Sequence, residues 1–270
     1  MSDTDLTEGI RGALLFVPAS RPERFAKAAA SGAAMVILDL EDAVAPAAKD
    51  AARADLVSRL AGTRCCWRIN AINSPWHVQD LARLVENPPE AVMLPKASAG
   101  PAFDAFCNAL PGVPIIALVE SAEGLATARM LAAHPAVMQL AFGSLDYCVD
   151  LDAAHTPPVL DPARCELVLA SRLAGIAAPA DGVTTAVDAP DQVLAEAHHA
   201  RALGMGAKLT IHPAQTAPVT SAFLPTGAEI DQARRILTAA DGVDVVDGRM
   251  VDAPVKARAR RLLALAGLQA

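Results

Sequence analysis

Eight short apolar runs, each followed by a helix-like stretch, constrain this chain more than any other feature. The runs are ALLFVPA (13–19), MVILDLE (35–41), CCWRIN (65–70), AVMLPK (91–96), PIIALVES (114–121), VMQLAFGS (137–144), DGVTTAV (181–187) and AKLTIHP (207–213). Between them, apolar residues recur at spacings of three and four, as in AAKDAARADLVSRLAG, VQDLARLVEN and PDQVLAEAHHARALG. That is the period of a helix with one buried face. Pro22, Pro190 and Asp191 add helix start signals. Strands that alternate with crossover helices form a parallel sheet with the helices outside it. Eight units over about 210 residues predict a (β/α)8 TIM barrel. The alternative, a doubly wound sheet with a dinucleotide site, wants GxGxxG after its first strand. Here that place reads VPASRPERF, without glycine, and GMG at 204–206 lacks the third glycine and precedes a strand.

The barrel is predicted over residues 1–215. Residues 216–270 form a C-terminal helical extension: an EIDQARRILTAAD helix, a polar hairpin or loop (GVDVVDGRMVDAP) and a basic helix (VKARARRLLALAGL). This piece is too short for a domain of ordinary size, so it is expected to pack on the barrel or on a neighbouring subunit. Apolar residues make up 53% of the chain and aromatics 3%, so Ala, Leu and Val must build the core. A net charge of −7 with one Tyr and two Trp argues against nucleic acid, which needs cations and stacking platforms. No stretch approaches the roughly 18 apolar residues of a membrane span. The opening MSDTDLTEGI is polar and acidic, unlike a signal peptide. The five cysteines follow no CxxC spacing, and the adjacent Cys65 and Cys66 fall on opposite faces of a strand. The expectation is a cytoplasmic protein with free thiols.

Seven of the eight runs end in polar groups: Ser20 and Arg21; Asp39, Glu41 and Asp42; Arg68 and Asn70; Lys96; Glu120 and Ser121; Ser144 and Asp146; and His212. A barrel delivers all of them to its C-terminal face, where active sites lie. Glu120 and Asp146 follow adjacent strands. Two such carboxylates suit Mg2+ or Mn2+, which take oxygen ligands and keep water. Spacing alone fits equally a carboxylate pair hydrogen-bonded to Arg68 or Lys96. Arg68 suits bidentate recognition of a carboxylate; its structural alternative is a buried partner for Asp39 or Glu41. Cys148 reads as an ordinary buried thiol. His212 reads as structural or as support to a site residue. No HExxH, GxSxG or P-loop occurs.

The blocks LLFVPASRPERFAKA, VILDLEDAVAPAAKDAAR, WRIN, VMLPKAS, ALVESAEGL, AFGSLDYCVDL and GAKLTIHPAQ resemble, in order, those of the citrate lyase beta-subunit-like family. That family lies within the HpcH/HpaI aldolase/citrate lyase superfamily and is related to the malyl-CoA lyases. The resemblance runs from about Leu14 to Pro254. It implies a TIM barrel assembled as a homotrimer or homohexamer. It also implies Mg2+ on Glu120 of ESAEG and Asp146 of FGSLD, with Arg68 on the carboxylate of an α-keto acid and Ser144 beside the substrate. Asp252 of MVDAP matches an acid/base supplied by an adjacent subunit. Ser20, Arg21, Arg24 and Lys96 are candidates for the CoA tail. Glu41 and Asp42 are candidates to face the site, orient Arg68 and hold metal-bound water, with Asp39 anchoring the strand end. The implied reaction is Mg2+-dependent carbon–carbon cleavage of a 3-hydroxyacyl-CoA thioester of the citryl-, malyl- or citramalyl-CoA type. It would give acetyl-CoA, or a related acyl-CoA, and an α-keto acid. Two alternatives stand beside it: a metal-dependent aldolase on free hydroxy-keto acids, and a beta subunit active only within a citrate lyase complex.

Overall fold

The computed structural model describes residues 9–240 and 242–268. They fall into two compact units that divide between Phe223 and Leu224; the helix Thr216–Phe223 belongs to the first. The first unit is a closed barrel of eight parallel strands in chain order: β1 (Gly12–Pro18), β2 (Met35–Asp39), β3 (Arg64–Arg68), β4 (Ala91–Leu94), β5 (Ile115–Val119), β6 (Val137–Phe142), β7 (Ala177–Asp181) and β8 (Ala207–Thr210). β8 closes on β1 through Gly12↔Ala207.

Side chains alternate across each strand, and the alternation sorts the core. Leu14, Met35, Ile37, Cys66, Met93, Ile116, Leu118 and Leu209 fill the barrel interior. Leu15, Val17, Val36, Leu38, Cys65, Trp67, Val92, Leu94, Ala117 and Val119 lie in the outer layer, under the helices. Cys65 and Cys66 do take opposite faces. Each fully buried aliphatic side chain contributes roughly 1.5–3 kcal/mol. The same parity has a functional consequence. Met35, Ile37 and Asp39 share one phase, as do Cys66 and Arg68, and Ile116, Leu118 and Glu120. The interior column of each of these strands therefore ends, at the C-terminal rim, in a charged residue.

The seventh strand differs from the expectation. DGVTTAV carries the β-branched residues, but β7 is Ala177–Asp181, overlapping it only at Asp181. An Ala-Pro strand has no intrinsic β signal; its neighbours impose the conformation. The fully buried Gln139 of β6 donates to Ala178 O at 2.7 Å and to Ile10 O at 2.8 Å, and accepts from Ile10 N at 3.1 Å. Its amide thus bridges the irregular β6–β7 register. A second difference lies in AAKDAARADLVSRLAG, which is α-helical only over Lys49–Ala54. Beyond it the chain bends so that Val57 O accepts from the indole of buried Trp67 at 2.8 Å.

In the second unit, the helix Gly227–Leu237 begins at a Thr226/Glu229 capping box. A hairpin of β9 (Asp244–Val246) and β10 (Arg249–Val251) follows. The helix Ala253–Leu265 is capped by Asp252, whose Oδ1 accepts from Val255 N at 3.2 Å. Ala233, Ala259 and Leu263 form its small core. Among the described residues no helix is long and apolar enough to cross a membrane.

Candidate active site

A cavity of about 370 Å³ opens at the C-terminal end of the barrel, lined by Phe16, Asp39, Asp42, Arg68, Glu120, Gly143, Ser144 and Asp146 among others. A larger cavity, about 650 Å³, is lined by Leu110, Pro114, Pro135 and Met138. These residues lead into β5 and β6, so it opens at the N-terminal face, which in this fold serves stability rather than chemistry.

Arg68 is the centre of the site. Asp39 and Arg68 are register partners on β2 and β3, and the guanidinium clasps the Asp39 carboxylate with both prongs, Nε–Oδ1 at 2.7 Å and Nη2–Oδ2 at 2.6 Å. Nη1 lies 3.0 Å from Glu41 Oε2 and 4.0 Å from Asp42 Oδ2. Glu41 Oε2 is buried and ion-paired there without hydrogen-bond alignment. Arg68 also stacks over Phe16, with Cζ 4.6 Å from the ring centroid. Burial opposes its charge, but Asp39 and Glu41 outweigh this and hold its pKa above the ordinary value. The expected division of labour therefore changes: Asp39, assigned to anchoring, is the principal partner of Arg68, while Asp42 is mostly exposed.

Glu120 lies one residue beyond β5 and is buried. Its Oε1 accepts from Lys96 N at 2.7 Å. Lys96 has φ +48°, a left-handed conformation that costs a non-glycine residue on the order of 1–3 kcal/mol. That turn aims its amide at Glu120 and its ammonium at Glu41 Oε1, 2.8 Å away. Oε2 of Glu120 accepts no hydrogen bond among the described residues and sits where a Cβ on Gly143 would collide with it; only glycine leaves the room. Burial, then the charge of Glu41, and further Asp146, push Glu120 up to about 8, against Lys96 and Arg68. Burial likewise lifts Glu41, with Arg68 and Lys96 opposing. The site gathers more carboxylates, Asp39, Glu41, Asp42, Glu120 and Asp146, than cations, Arg68 and Lys96.

Ser144 and Asp146 open the helix Ser144–Asp150 after β6. Ser144 is buried, with Oγ 2.9 Å from His155 Nε2, and packs where Gly182 has no side chain. Asp146 is half-buried at the cavity wall. Among the described residues no three His, Cys, Asp or Glu side chains converge on one point. Two carboxylates completed by water nevertheless fit Mg2+, which keeps several waters, and the unbonded Glu120 oxygen is a suitable ligand.

The structure places the other candidates as follows. Lys96 Nζ is engaged by Glu41 rather than free at the mouth. Arg21 is exposed and 3.7 Å from Glu23, beside half-exposed Ser20. Arg24 lines a separate cavity of about 340 Å³ with Lys27, Phe16 and His212. His212 caps the turn at Pro213–Gln215 through Ala214 N. Asp252 caps a helix in the second unit. Sequence reasoning missed Lys49, Asp80 and Arg53 behind β2 and β3, and Arg164, Asp181 and Lys208 around β7 and β8. Lys49 Nζ donates to Leu40 O, Glu41 O and Asn70 Oδ1 at 2.7, 2.8 and 2.6 Å. The signal was present for Lys49 alone, as the one lysine in the acidic DLEDAVAPAAKD block.

A family model described as HpcH/HpaI aldolase/citrate lyase matches residues 12–213. A citrate lyase subunit beta-like protein of Deinococcus radiodurans is 38% identical, over 93% of this chain and 95% of its own length. A (3S)-malyl-CoA thioesterase of Cereibacter sphaeroides is 32% identical, over 94% and 93%. The crystal structure of CitE from Mycobacterium tuberculosis in complex with magnesium, acetoacetate and coenzyme A superposes with a TM-score of 0.86 at 35% identity, covering 96% of this chain and 99% of that one.

Proposed function

The chain belongs to the HpcH/HpaI aldolase/citrate lyase family, and we propose that within it this protein is a Mg2+-dependent carbon–carbon lyase. Its substrate is a 3-hydroxyacyl-CoA thioester of the citryl-, malyl- or citramalyl-CoA type. The observation that carries the reading is the carboxylate surplus at Glu120: a buried carboxylate with one unbonded oxygen, in a cavity that Asp146 also lines. A divalent cation satisfies that surplus. A relative bound to magnesium, acetoacetate and coenzyme A supports the same ligand set.

In this reading Glu120 and Asp146 hold the metal, which when bound polarises the keto oxygen as a Lewis acid. Arg68, already fixed by Asp39 and Glu41, presents its outer edge to the keto acid carboxylate. In cleavage the Asp252 carboxylate of a neighbouring subunit takes the proton of the 3-hydroxyl, that carbon becomes the keto carbon as the C2–C3 bond breaks, and the bond's electron pair passes to the thioester as an enolate. Asp252 of a neighbouring subunit returns a proton to the α-carbon, giving the acyl-CoA; in condensation it removes that proton. Arg24 and Lys27 flank a cavity suited to the phosphates of the CoA tail, with Ser20 and Arg21 near it. The expected form is a cytoplasmic homotrimer or homohexamer.

One contact favours a second reading, hydrolysis of the same thioester: Ser144 Oγ and His155 Nε2 at 2.9 Å have the spacing of a hydroxyl and its base. A relative named as a malyl-CoA thioesterase points the same way. Incubating the isolated chain with Mg2+ and each of the three thioesters, followed by product identification, tests both. The lyase yields a keto acid and a shorter acyl-CoA; hydrolysis yields free CoA and the hydroxy acid. Inactivity on all three favours a subunit that needs its complex. Titration with acetyl-CoA and Mg2+ that gives no binding favours an aldolase on free acids.

A further inference from the structure

A charge taken out of water is costly unless it is paired, yet among the described residues Lys49, 4% exposed, touches no carboxylate. Its ammonium has three donors, and the Leu40 carbonyl, the Glu41 carbonyl and Asn70 Oδ1 take all three. The Trp76 ring lies 4.7 Å from Nζ. Asn70 is aimed from behind: its Nδ2 and backbone N donate to Asp80 Oδ2 at 2.6 and 2.9 Å, and Arg53 Nε holds Asp80 Oδ1 at 2.7 Å. On the cavity side, the Asp39 carboxylate accepts from Glu41 N at 2.9 Å and Ala43 N at 3.3 Å while it clasps Arg68. The turn after β2 is therefore gripped twice, its amides by Asp39 inside the barrel and its carbonyls by Lys49 outside.

We propose that Lys49 is a positioning residue: by holding the Leu40 and Glu41 carbonyls it fixes the Glu41 carboxylate against Arg68 and Lys96, and so sets how Arg68 meets the carboxylate of an α-keto acid. The identity of the ligand rests on the lyase reading; the grip on the turn does not. Removing the ammonium leaves three buried acceptors unsatisfied, and the turn must open to reach water. Asp39, held independently by β2, keeps its clasp on Arg68, but Glu41 loses its place.

The test is calorimetric titration of the Mg2+-loaded full chain with oxaloacetate and, separately, with acetyl-CoA. Lys49→Met is expected to weaken oxaloacetate by at least about tenfold, the scale set by small misplacements of binding groups, and to leave acetyl-CoA nearly unchanged. Lys49→Arg, which can reach the same acceptors, recovers most of the affinity. Lys208→Met, the same change at a buried lysine of the β7–β8 cluster, lowers Tm without moving oxaloacetate affinity. Wild-type affinity in Lys49→Met overturns the proposal, as does an equal loss in Lys208→Met. If Lys49→Met does not fold, Asn70→Ala removes a single acceptor and gives a smaller loss of the same selectivity; an unchanged affinity there overturns it too. A wild-type chain that binds oxaloacetate but cleaves no thioester refutes the lyase reading alone. One that binds neither oxaloacetate, glyoxylate nor pyruvate refutes both.

Discussion

Two clusters of buried charge flank the barrel, and they are built on opposite principles. Around β7 and β8, Asp181 is fully buried between Arg164 (Nε–Oδ1 2.7 Å) and Lys208 (Nζ–Oδ2 3.0 Å), and Lys208 also donates to Gly182 O at 2.6 Å. Burial would raise the Asp181 pKa, but Lys208 and Arg164 outweigh it and hold it below the usual carboxylate value. This cluster is closed and satisfied. Around β2 to β6, Asp39, Glu41, Asp42, Glu120 and Asp146 face, among the described residues, only Arg68, Lys96 and the more distant Lys49, and the cluster opens into a cavity. Here Glu41 and Glu120 titrate high. The comparison teaches that buried charge by itself marks nothing. An unbalanced, accessible cluster marks a site, and a balanced, sealed one marks a strut.

The largest effect expected of this contrast is on catalysis. Glu120→Ala or Asp146→Ala should abolish Mg2+-dependent turnover, by more than about a hundredfold, since a metal supplies several kcal/mol to such a transition state. Circular dichroism should remain native. The matched change in the strut, Lys208→Met, should leave kcat intact; full activity in either carboxylate variant would break the comparison. On stability, too, the open cluster shows the larger effect when a single cation is removed. Arg68→Met strands buried Asp39 and leaves Glu41 with Lys96 alone, and should cost about 3–5 kcal/mol. Lys208→Met leaves Asp181 with Arg164 and should cost less, as read from urea midpoints.

The pH dependence sharpens the contrast further. In the metal-free protein Glu120 holds its proton up to about 8, whereas a free glutamate releases it near 4.5. Between those values the unfolded chain binds fewer protons, so stability falls as pH rises and levels off above 8. Asp181 acts in the opposite sense. Its folded pKa lies below 3.8, so its contribution is complete above that value and is lost in acid. Thermal melts in chelator from pH 4.5 to 8 should show the decline in wild type and a flatter profile in Glu120→Gln. Identical slopes would contradict the assignment. The smallest effect concerns Asp252. Asp252→Ala should lose about 1 kcal/mol of helix capping, and Asp252→Asn should keep it. If the carboxylate is also the acid/base, Asp252→Asn loses turnover at unchanged Tm.

The barrel was legible because seven strands lie in short apolar-rich runs with polar groups at their ends, and Val, Ile, Leu and Met dominate β1, β2, β4, β5 and β6. β7 was not, since Ala177–Asp181 becomes a strand through its neighbours and the Gln139 amide rather than through its own propensity. Arg68 and Glu120 were legible as the charged ends of those runs. Asp39 was misweighted although its parity with Met35 and Ile37 points it inward; reading the phase of the strand, rather than the density of charge after it, would have corrected this. Lys49, Asp80 and Arg53 were hidden because a charge on an amphipathic helix normally faces water, and only tertiary packing tucks these under β2 and β3. The left-handed turn at Lys96 has no sequence signature at all.

The most direct test of the central claim is a crystal of the chain soaked with Mg2+, oxaloacetate and acetyl-CoA. The metal should be bound by Glu120 and Asp146 with water completing its shell, and the oxaloacetate carboxylate should lie on the outer edge of Arg68. A metal bound elsewhere, or oxaloacetate bound away from Arg68, would contradict that claim.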